Sequence, residues 1–503
     1  MNDVFLHLFA YTLTGRTHSL SAKYVARLLK KEDLMDFQLS HDVTERISRI
    51  ETSLFLPSRV VQLCGELGTL VERMEQYSVP GVSIAVIHQG RIEWARGYGV
   101  ADAETQQPVT SETLFQAASI SKPVTAAAVL RLVDAGHLDL DEDVNTYLRS
   151  WKVPNTLSWQ PRITLRQLLC HGAGVTMHGF PGYTRDAVIP TLGQVLAGEF
   201  PANTDPIRVN ALPGTQFRYS GGGYCILQQV LMDVTSKPFP ELMREIVLDP
   251  ASMTQSTFEQ PPSQRFADVV ATGHRAGGKT VSGNWHVYPE MAVAGLWTTP
   301  SDLAHFALTI QQAWAGETAN FLSQEMVRQM LAPQVEAFTG LGPRLDGEGT
   351  SSRFSHTGGN EGFRCVLEAY VQKSFGAVVM TNSDEGFFVI EKIMPAIAQE
   401  CGWPNYLPKD AGPLERTHSI SDAFLGTYEL KPGFTLTVVK EGERLFLQPT
   451  GQNALVLYPE TDTTYMLNEV DAQVTFVRED QEGVTSLLFK QNAREMVAKK
   501  MKT

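Results

Sequence analysis

The sequence predicts an α+β domain followed by a small all-β domain, and three observations support this. Strand patterns lie at both ends of a long stretch, in residues 82–98 and 353–383, and the region between them is mostly helix and loop. After residue 420, seven or eight short strand patterns recur every 8–12 residues with turn residues between them. Strands at both ends of such a stretch predict one domain whose sheet is completed by distant segments. Evenly spaced short strands are typical of an antiparallel barrel or sandwich.

The domain division follows from length and composition. A chain of 503 residues is too long for one small core. We expect an N-terminal extension over residues 1–50 and a main domain over 51–402. A linker over 403–420, rich in proline, then leads to a β-barrel-like domain over 421–503.

The first elements of the main domain are a helix and a hairpin. Apolar residues at helical spacing run from about Ser58 to Met74. The near-continuous apolar run Val82–Ile87 predicts a strand covered on both faces, and Arg91–Tyr98 returns after a Gln-Gly turn. At the other end of the domain, a helix is expected from about Phe387 to Glu400.

Composition excludes several classes of partner. A net charge of −13 argues against nucleic acid or an anionic membrane, because both attract a basic surface. No segment reaches about 18 uninterrupted apolar residues, so we expect no membrane span. Five scattered cysteines without a CxxC pair indicate buried thiols in a reducing compartment. The first residues include Asp3 and no basic residue before the apolar stretch, which is not typical of a secretory signal, and a cytoplasmic location is expected.

The stretch "FQAASISKPVTAAAVL" contains Ser119 and Lys122 at the predicted start of a helix. Pro123 is tolerated only in the first helical turn, which places the helix start near Ile120. Ser119 then lies at the helix N-terminus with Lys122 one turn further on the same face. Serine is a poor nucleophile until a base accepts its proton. The pattern therefore predicts either a nucleophile with its base or, taken alone, a capping serine beside a solvated lysine.

Two further stretches favour the catalytic interpretation. "PGTQFRYSGGGYCILQQVLMDV" places Tyr219 in a loop before three glycines and a helix. "RFSHTGGNEGFRC" places His356 near the end of a strand, just before a hairpin turn. Glycines at such a strand end allow the backbone or a carbonyl of a ligand to lie close against the strand.

These three stretches together resemble the motifs of the serine β-lactamase and penicillin-binding-protein superfamily. The branch includes class C β-lactamases, DD-peptidases, D-aminopeptidases and carboxylesterases. "SISK" resembles the Ser-x-x-Lys motif, "YSG" the Tyr-x-Asn motif and "HTGG" the Lys/His-Thr-Gly motif, in the order of the family. The resemblance covers roughly residues 58–400. It implies a five-stranded antiparallel sheet flanked by helices beside a helical region, and the C-terminal strands resemble barrel-like additions in some members.

The resemblance also implies roles for individual residues. Ser119 would form an acyl-enzyme, and Lys122 and Tyr219 would share the general-base and general-acid work. The backbone N–H groups of Ser119 and Gly359 would form the oxyanion hole. His356 would act on Tyr219 and on the polar end of the substrate.

The remaining motif positions would line the substrate site. Thr357 would lend a hydroxyl, and Gly358 and Gly359 would leave room for the substrate. The chain departs from the family at Gly221, where the second motif usually ends in an asparagine that contacts the substrate amide. Because this contact is missing and His356 replaces lysine, we expect carboxylic esters or small peptide-like amides as substrates. The alternative is a β-lactamase, or a penicillin-binding sensor that deacylates slowly. No metal or organic cofactor is implied, and the oligomeric state stays open.

The sequence argues against three other kinds of site or fold. Residues 273–280, "GHRAGGKT", match the P-loop pattern, but no helical period follows, so we expect a hairpin loop. His171 and His178 flank a Gly-rich loop, yet no third ligand lies at metal spacing, and we expect no metal site. No G-x-S-x-G motif is present, which argues against an α/β-hydrolase.

Overall fold

The computed structural model describes most of the chain from residue 41 onward. The described residues are 41–52, 54, 68–155, 159–318, 320–372, 375–406, 421–441, 444–451, 455–459, 461, 463–467, 472–479, 483–491 and 494–501. Most of the predicted extension (residues 1–40), most of the predicted linker (407–420) and the first part of the predicted helix after Ser58 lie outside these residues. The boundaries proposed at 50 and 403–420 stay predictions.

The described helices lie mainly between the two groups of strands. They are α1 (His41–Thr52), α2 (Leu70–Gln76), α3 (Ser121–Asp134), α4 (Val144–Tyr147), α5 (Leu165–Leu169), α6 (Leu192–Ala197), α7 (Gly221–Thr235), α8 (Phe239–Met243), α9 (Met291–Ala294), α10 (Pro300–Ala315), α11 (Gln324–Met330) and α12 (Gly386–Glu400). A π-helical turn, Arg244–Leu248, continues α8. No described helix is long and apolar enough to cross a membrane.

The central sheet is antiparallel and joins the two ends of the main domain. Its strands are β1 (Gly81–His88), β2 (Arg91–Asp102), β3 (Gln107–Pro108), β8 (Arg344–Asp346), β9 (Arg353–Asn360), β10 (Phe363–Tyr370) and β11 (Gly376–Thr381). Their order is β3-β2-β1-β11-β10-β9-β8. The five long strands match the predicted sheet, and the short strands β3 and β8 extend it at each edge. Short two-stranded pairs form from β4 (Phe115–Gln116) with β7 (Trp297–Thr298) and from β5 (His274–Arg275) with β6 (Lys279–Thr280).

The sheet confirms that distant segments complete one domain. Val82 on β1 pairs with Thr381 on β11, close to 300 positions away in the chain. Residues 81–87 are all buried, as the continuous apolar run predicts for a strand covered on both faces. Helix α12 spans Gly386–Glu400, close to its predicted bounds, and packs on β10 and β11.

Helix α3 is the centre of the core and carries the Ser-x-x-Lys segment into it. A 3-10 turn, Ala118–Ile120, precedes the helix, and Pro123 lies in its first turn, as predicted. Residues 124–130 are all fully buried. The first ten residues of α3 are buried on every side, so its first turn is held by packing all around it.

The C-terminal strands close into a barrel, which confirms the predicted all-β domain. The strands are β12 (Gly426–Lys431), β13 (Phe434–Glu441), β14 (Arg444–Pro449), β15 (Leu455–Pro459), β16 (Thr464–Leu467), β17 (Ala472–Glu479), β18 (Gly483–Gln491) and β19 (Arg494–Lys500). Tyr428 on β12 pairs with Lys500 on β19, which removes the free edges of the sheet. Phe424 stacks on Phe476 at 4.2 Å inside the apolar interior.

The P-loop-like stretch forms the predicted hairpin. Strands β5 and β6 pair His274 with Thr280 and Arg275 with Lys279 around a turn at 276–278. The next described helix after Lys279 is α9, which begins only at Met291, so this segment lacks the strand-to-helix context that a phosphate-binding loop needs.

Candidate active site

The segment before Ser119 has a left-handed backbone at a residue with a side chain. Ala118 has φ +48° and is fully buried. This conformation costs a non-glycine L-residue about 1–2 kcal/mol, so the surrounding structure must hold it. Ala117 supplies that hold: its N–H donates to the Leu296 carbonyl at 2.9 Å, and its own carbonyl accepts from the Ile120 N–H at 3.0 Å. Ser119 follows at the point where α3 begins.

Gly358 packs directly against this strained segment. A Cβ at position 358 would overlap the carbonyl oxygen of Ala117 and lie 2.5 Å from the Cys365 sulfur. The Cys365 thiol itself donates to the Ala117 carbonyl at 3.1 Å. The glycine at 358 therefore gives room to the chain's own backbone. The expectation that Gly358 also leaves room for a substrate stays a prediction.

Lys122 lies within hydrogen-bond distance of Ser119. Its Nζ is 2.8 Å from the Ser119 Oγ and donates to the Val293 carbonyl at 3.1 Å. The lysine side chain is 1% exposed and forms no ion pair with any described residue. A lysine nitrogen at hydrogen-bond distance from a serine hydroxyl is placed to exchange a proton with it.

Tyr219 lies beside the lysine, in the loop before α7. The Lys122 Nζ is 5.1 Å from the centre of the Tyr219 ring. The centre of the Tyr219 ring is 4.3 Å from the centre of the His171 ring and 4.8 Å from that of the His178 ring. Ser220 caps the following helix by accepting from the Gly223 N–H at 3.0 Å, so the three glycines form its first turn.

His356 faces the same site from β9 and is neutral at physiological pH. Its ring centre is 6.3 Å from that of Tyr219. Burial and the nearby Lys122 ammonium lower the pKa of His356 to about 3. The Nδ1 atom lies 2.6 Å from the Thr357 carbonyl oxygen, which only accepts, so Nδ1 carries the proton and Nε2 keeps its lone pair.

The two remaining positions of the third motif are accessible. Thr357 and Gly359 are exposed, in contrast to Gly358. Gly359 pairs with Arg364, next to the pair of Asn360 and Phe363 that closes the hairpin. Hydrogen-bonded and non-bonded pairs alternate along antiparallel strands, and the closing pair is hydrogen-bonded. The Gly359 N–H consequently points away from β10, on the side of β8. The pairing of β8 with β9 reaches only Arg344 with Ser355, so β8 does not extend to Gly359.

The position of the family asparagine is occupied by other side chains. Gly221 is buried, and a Cβ there would lie 3.0 Å from both Phe180 Cε2 and Val293 Cγ1. A side chain at 221 would need these two apolar groups to move. The same Cβ would lie 3.2 Å from the His178 carbonyl oxygen, so two apolar side chains and one backbone carbonyl line the space next to Gly221.

The structure brings together Ser119, Lys122, Tyr219 and His356, which are distant in sequence. It also adds His171, which the sequence analysis considered only as a metal ligand. Among the described residues no group of His, Cys, Asp or Glu could hold a metal ion. His171 and His178 instead flank Tyr219, a contact between residues about 50 positions apart that no local pattern marks.

Glu290 is a second feature that the sequence did not reveal. It is fully buried just before α9, the short helix whose Val293 carbonyl accepts from Lys122. Neither carboxylate oxygen has a hydrogen-bond partner among the described residues. Burial raises the pKa of Glu290 to about 8, so the carboxyl is largely protonated at neutral pH.

A family model named Beta-lactamase matches residues 68–397, about two thirds of the chain. The chain belongs to the Beta-lactamase family. It is accordingly a serine hydrolase of that family, as the resemblance in the three motifs predicts. A second model, a domain of unknown function (DUF3471), matches residues 413–501, which contain the barrel.

Relatives with this Beta-lactamase fold include penicillin-binding proteins and an amidase. Penicillin-binding protein 4* of Bacillus subtilis (strain 168) is 22% identical over 85% of this chain and 97% of its own length. The octameric penicillin-binding protein homologue from Pyrococcus abyssi has a TM-score of 0.58 at 22% identity, covering 85% of this chain and 98% of that one. D-amino acid amidase from Ochrobactrum anthropi SV3 has a TM-score of 0.55 at 19% identity, covering 71% and 99%. At these identities the solved structures establish a common fold.

Proposed function

We propose that this Beta-lactamase-family protein hydrolyses carboxylic esters or small peptide-like amides through an acyl-enzyme on Ser119. The observation that carries the proposal is the 2.8 Å distance between the Lys122 Nζ and the Ser119 Oγ at a buried helix start. Nucleophilic catalysis by serine needs a base within this distance. The expected cytoplasmic location also stays a prediction.

The proposed reaction has two steps. In the first, the Ser119 Oγ bonds to the substrate carbonyl carbon while Lys122 or Tyr219 accepts the hydroxyl proton. The bond from carbon to the leaving oxygen or nitrogen then breaks, and the same pair returns the proton to the leaving group. In the second step, water gives a proton to Lys122 or Tyr219 and its oxygen bonds to the acyl carbon. The bond from that carbon to the Ser119 Oγ then breaks, the Oγ takes the proton back and the carboxylic acid leaves.

Backbone amides support the developing negative charge in this proposal. Ser119 lies at the N-terminus of α3, where the helix dipole and unpaired N–H groups favour an anion. The Gly359 N–H points away from its neighbouring strand and is exposed. Two such donors stabilise a tetrahedral oxyanion by several kcal/mol, with about 10²- to 10³-fold in rate lost per donor removed.

The apolar surroundings of Gly221 favour esters and simple amides over β-lactams. Penicillins and cephalosporins carry an acylamino group, and the family asparagine is the residue that contacts such an amide. Here Phe180 and Val293 lie where its side chain would begin. A small apolar acyl group gains from burial beside them, whereas the acylamino group of a β-lactam would lose its hydrogen bonds to an asparagine side chain.

The test compares an ester with a β-lactam on one site. Turnover of p-nitrophenyl butyrate and of nitrocefin is measured for the wild type and for Ser119→Ala. We expect ester turnover that disappears in Ser119→Ala and a higher kcat/KM for the ester than for nitrocefin. Faster nitrocefin turnover would make the protein a β-lactamase. Stoichiometric penicillin labelling without turnover of either compound would make it a slowly deacylating sensor.

A further inference from the structure

His171 contacts Tyr219 and both of its neighbours in the chain. The carbonyl oxygen of His171 accepts from the Arg218 N–H at 2.8 Å. The side-chain Nδ1 of His171 accepts from the Ser220 N–H at 3.1 Å. The two hydrogen bonds fix the backbone on either side of residue 219, so one residue controls the position from which the Tyr219 side chain extends.

The ring of His171 adds a third contact. It lies 4.3 Å from the Tyr219 ring at an angle of 34°, and 5.4 Å from the ring of Tyr224. Offset aromatic pairs at such distances contribute about 0.5–1.5 kcal/mol beyond their buried area. The Tyr219 ring is thereby supported on the imidazole.

His171 is a neutral imidazole with its proton on one defined nitrogen. Burial and the Lys122 ammonium keep the pKa of His171 well below its ordinary value, so the ring is neutral. Because Nδ1 accepts a hydrogen bond, the single ring proton lies on Nε2. A neutral imidazole beside Lys122 adds no positive charge that would repel the lysine.

The backbone of His171 is held in an unusual conformation. Its φ is +60°, which is uncommon for a residue other than glycine, asparagine or aspartate. The side chain is only 7% exposed. Strain of this kind persists only where the surrounding structure determines it and collects at functional sites.

We infer that His171 is a positioning residue, which holds the Tyr219 phenol at its distance from Lys122 and Ser119 during acyl transfer. The inference rests on the proposed function, since it assigns Tyr219 to proton transfer. It adds a residue that lies outside the three motifs.

Two variants separate the contacts of His171. His171→Asn keeps an acceptor at the position of Nδ1 and suits the positive φ, but it removes the ring. His171→Phe keeps an aromatic ring and removes the acceptor for Ser220. His274→Asn is the matched control, because His274 is also fully buried, with Nδ1 2.9 Å from the Asn382 carbonyl oxygen.

Kinetics give the first measurement. For p-nitrophenyl butyrate we expect kcat to fall about 10- to 100-fold in both His171 variants while KM stays within about threefold, because a small displacement of a catalytic group slows chemistry more than binding. His171→Asn combined with Tyr219→Phe should be no slower than Tyr219→Phe alone. A kcat within twofold of wild type for His171→Asn, or a double variant slowed by the product of the two single effects, would overturn the inference.

A spectroscopic measurement keeps the inference testable without turnover. The protein is labelled with 3-fluorotyrosine, and the ¹⁹F resonance of Tyr219 is identified by its loss in Tyr219→Phe. His171→Asn should shift or broaden this resonance, and His274→Asn should leave it unchanged. If the wild type lacks Ser119-dependent turnover, the proposed function fails by itself. An unchanged Tyr219 resonance in His171→Asn would then overturn the positioning role.

Discussion

The Lys122 Nζ lies 2.8 Å from the Ser119 Oγ, with the lysine one helical turn further along the chain. The same nitrogen donates to the Val293 carbonyl and lies 5.1 Å from the centre of the Tyr219 ring. A lysine held by one hydroxyl and one carbonyl, without a carboxylate, is arranged for proton transfer and gains little stability from its charge. Replacing Lys122 should therefore lower the activity strongly and change the unfolding free energy little.

Lys122→Met tests this expectation. Removing a general base costs about 10²- to 10⁴-fold in kcat/KM. The unfolding free energy should change by no more than about 1 kcal/mol, because the lost hydrogen bonds are offset by the loss of a buried ammonium. Ester kinetics and urea denaturation check the two parts. Lys392→Met removes another buried lysine, on α12, and should keep the activity. Activity of Lys122→Met within tenfold of the wild type would rule out lysine as the base.

Ala118→Gly and Ala117→Gly form a matched pair for backbone strain. Both alanines are fully buried and lose the same methyl group, but Ala118 has φ +48° and Ala117 has φ −79°. Glycine adopts positive φ without a steric cost. Ala118→Gly should therefore be more stable than Ala117→Gly by about 1–2 kcal/mol. The comparison is made by chemical denaturation, and equal stabilities would show that the turn before Ser119 stores no strain.

Gly358→Ala and Gly359→Ala test which glycine of the third motif is needed for packing. A Cβ at 358 would overlap the Ala117 carbonyl, whereas one at 359 would meet only the Arg364 side chain at 3.5 Å. We expect Gly358→Ala to lose about 1–3 kcal/mol or more of unfolding free energy. Gly359→Ala should melt within a few degrees of the wild type. The reverse order of the two melting temperatures would contradict the packing described for Ala117.

Glu290→Gln tests the buried carboxyl through the pH dependence of stability. The pKa of Glu290 is raised to about 8 in the folded protein, from about 4.3 in an unfolded chain. The folded state thus holds its proton where the unfolded state has released it, and wild-type stability falls as pH rises from about 4.3 to 8. Glu290→Gln has no carboxyl to titrate, so its stability does not fall in this way. Its stability relative to the wild type should increase by a few kcal/mol between pH 5 and pH 9. Parallel curves from urea denaturation at the two pH values would mean that Glu290 does not titrate in this range.

Helix α3 and the sheet could be predicted from sequence because their signals are local. Pro123 restricts the helix start, and the apolar run at Val82–Ile87 reflects burial on both faces of β1. The start of α7 was harder, since glycine is a poor helix former and the triple glycine resembles a loop. There the Ser220 cap and close packing around Gly221 outweigh propensity.

The supporting residues of the site could not be predicted in the same way. His171 meets Tyr219 only because two loops pack together, and neither loop has a periodic pattern. Glu290 resembles a surface residue in sequence, because carboxylates are rarely buried without a partner. Both residues depend on tertiary contacts. The spacing of residues along a single sequence does not show such contacts.

An acyl-enzyme on Ser119 is tested most directly by locating the acyl group on the chain. The protein is mixed with a slowly hydrolysed acylating agent such as a fluorescent penicillin, digested and mapped by tandem mass spectrometry. We predict an adduct on Ser119 that is absent in Ser119→Ala. It should be absent from Ser121, whose Oγ is buried and accepts the Leu296 N–H at 3.0 Å. An adduct on Ser121 or on another residue, or labelling that persists in Ser119→Ala, would contradict Ser119 as the nucleophile.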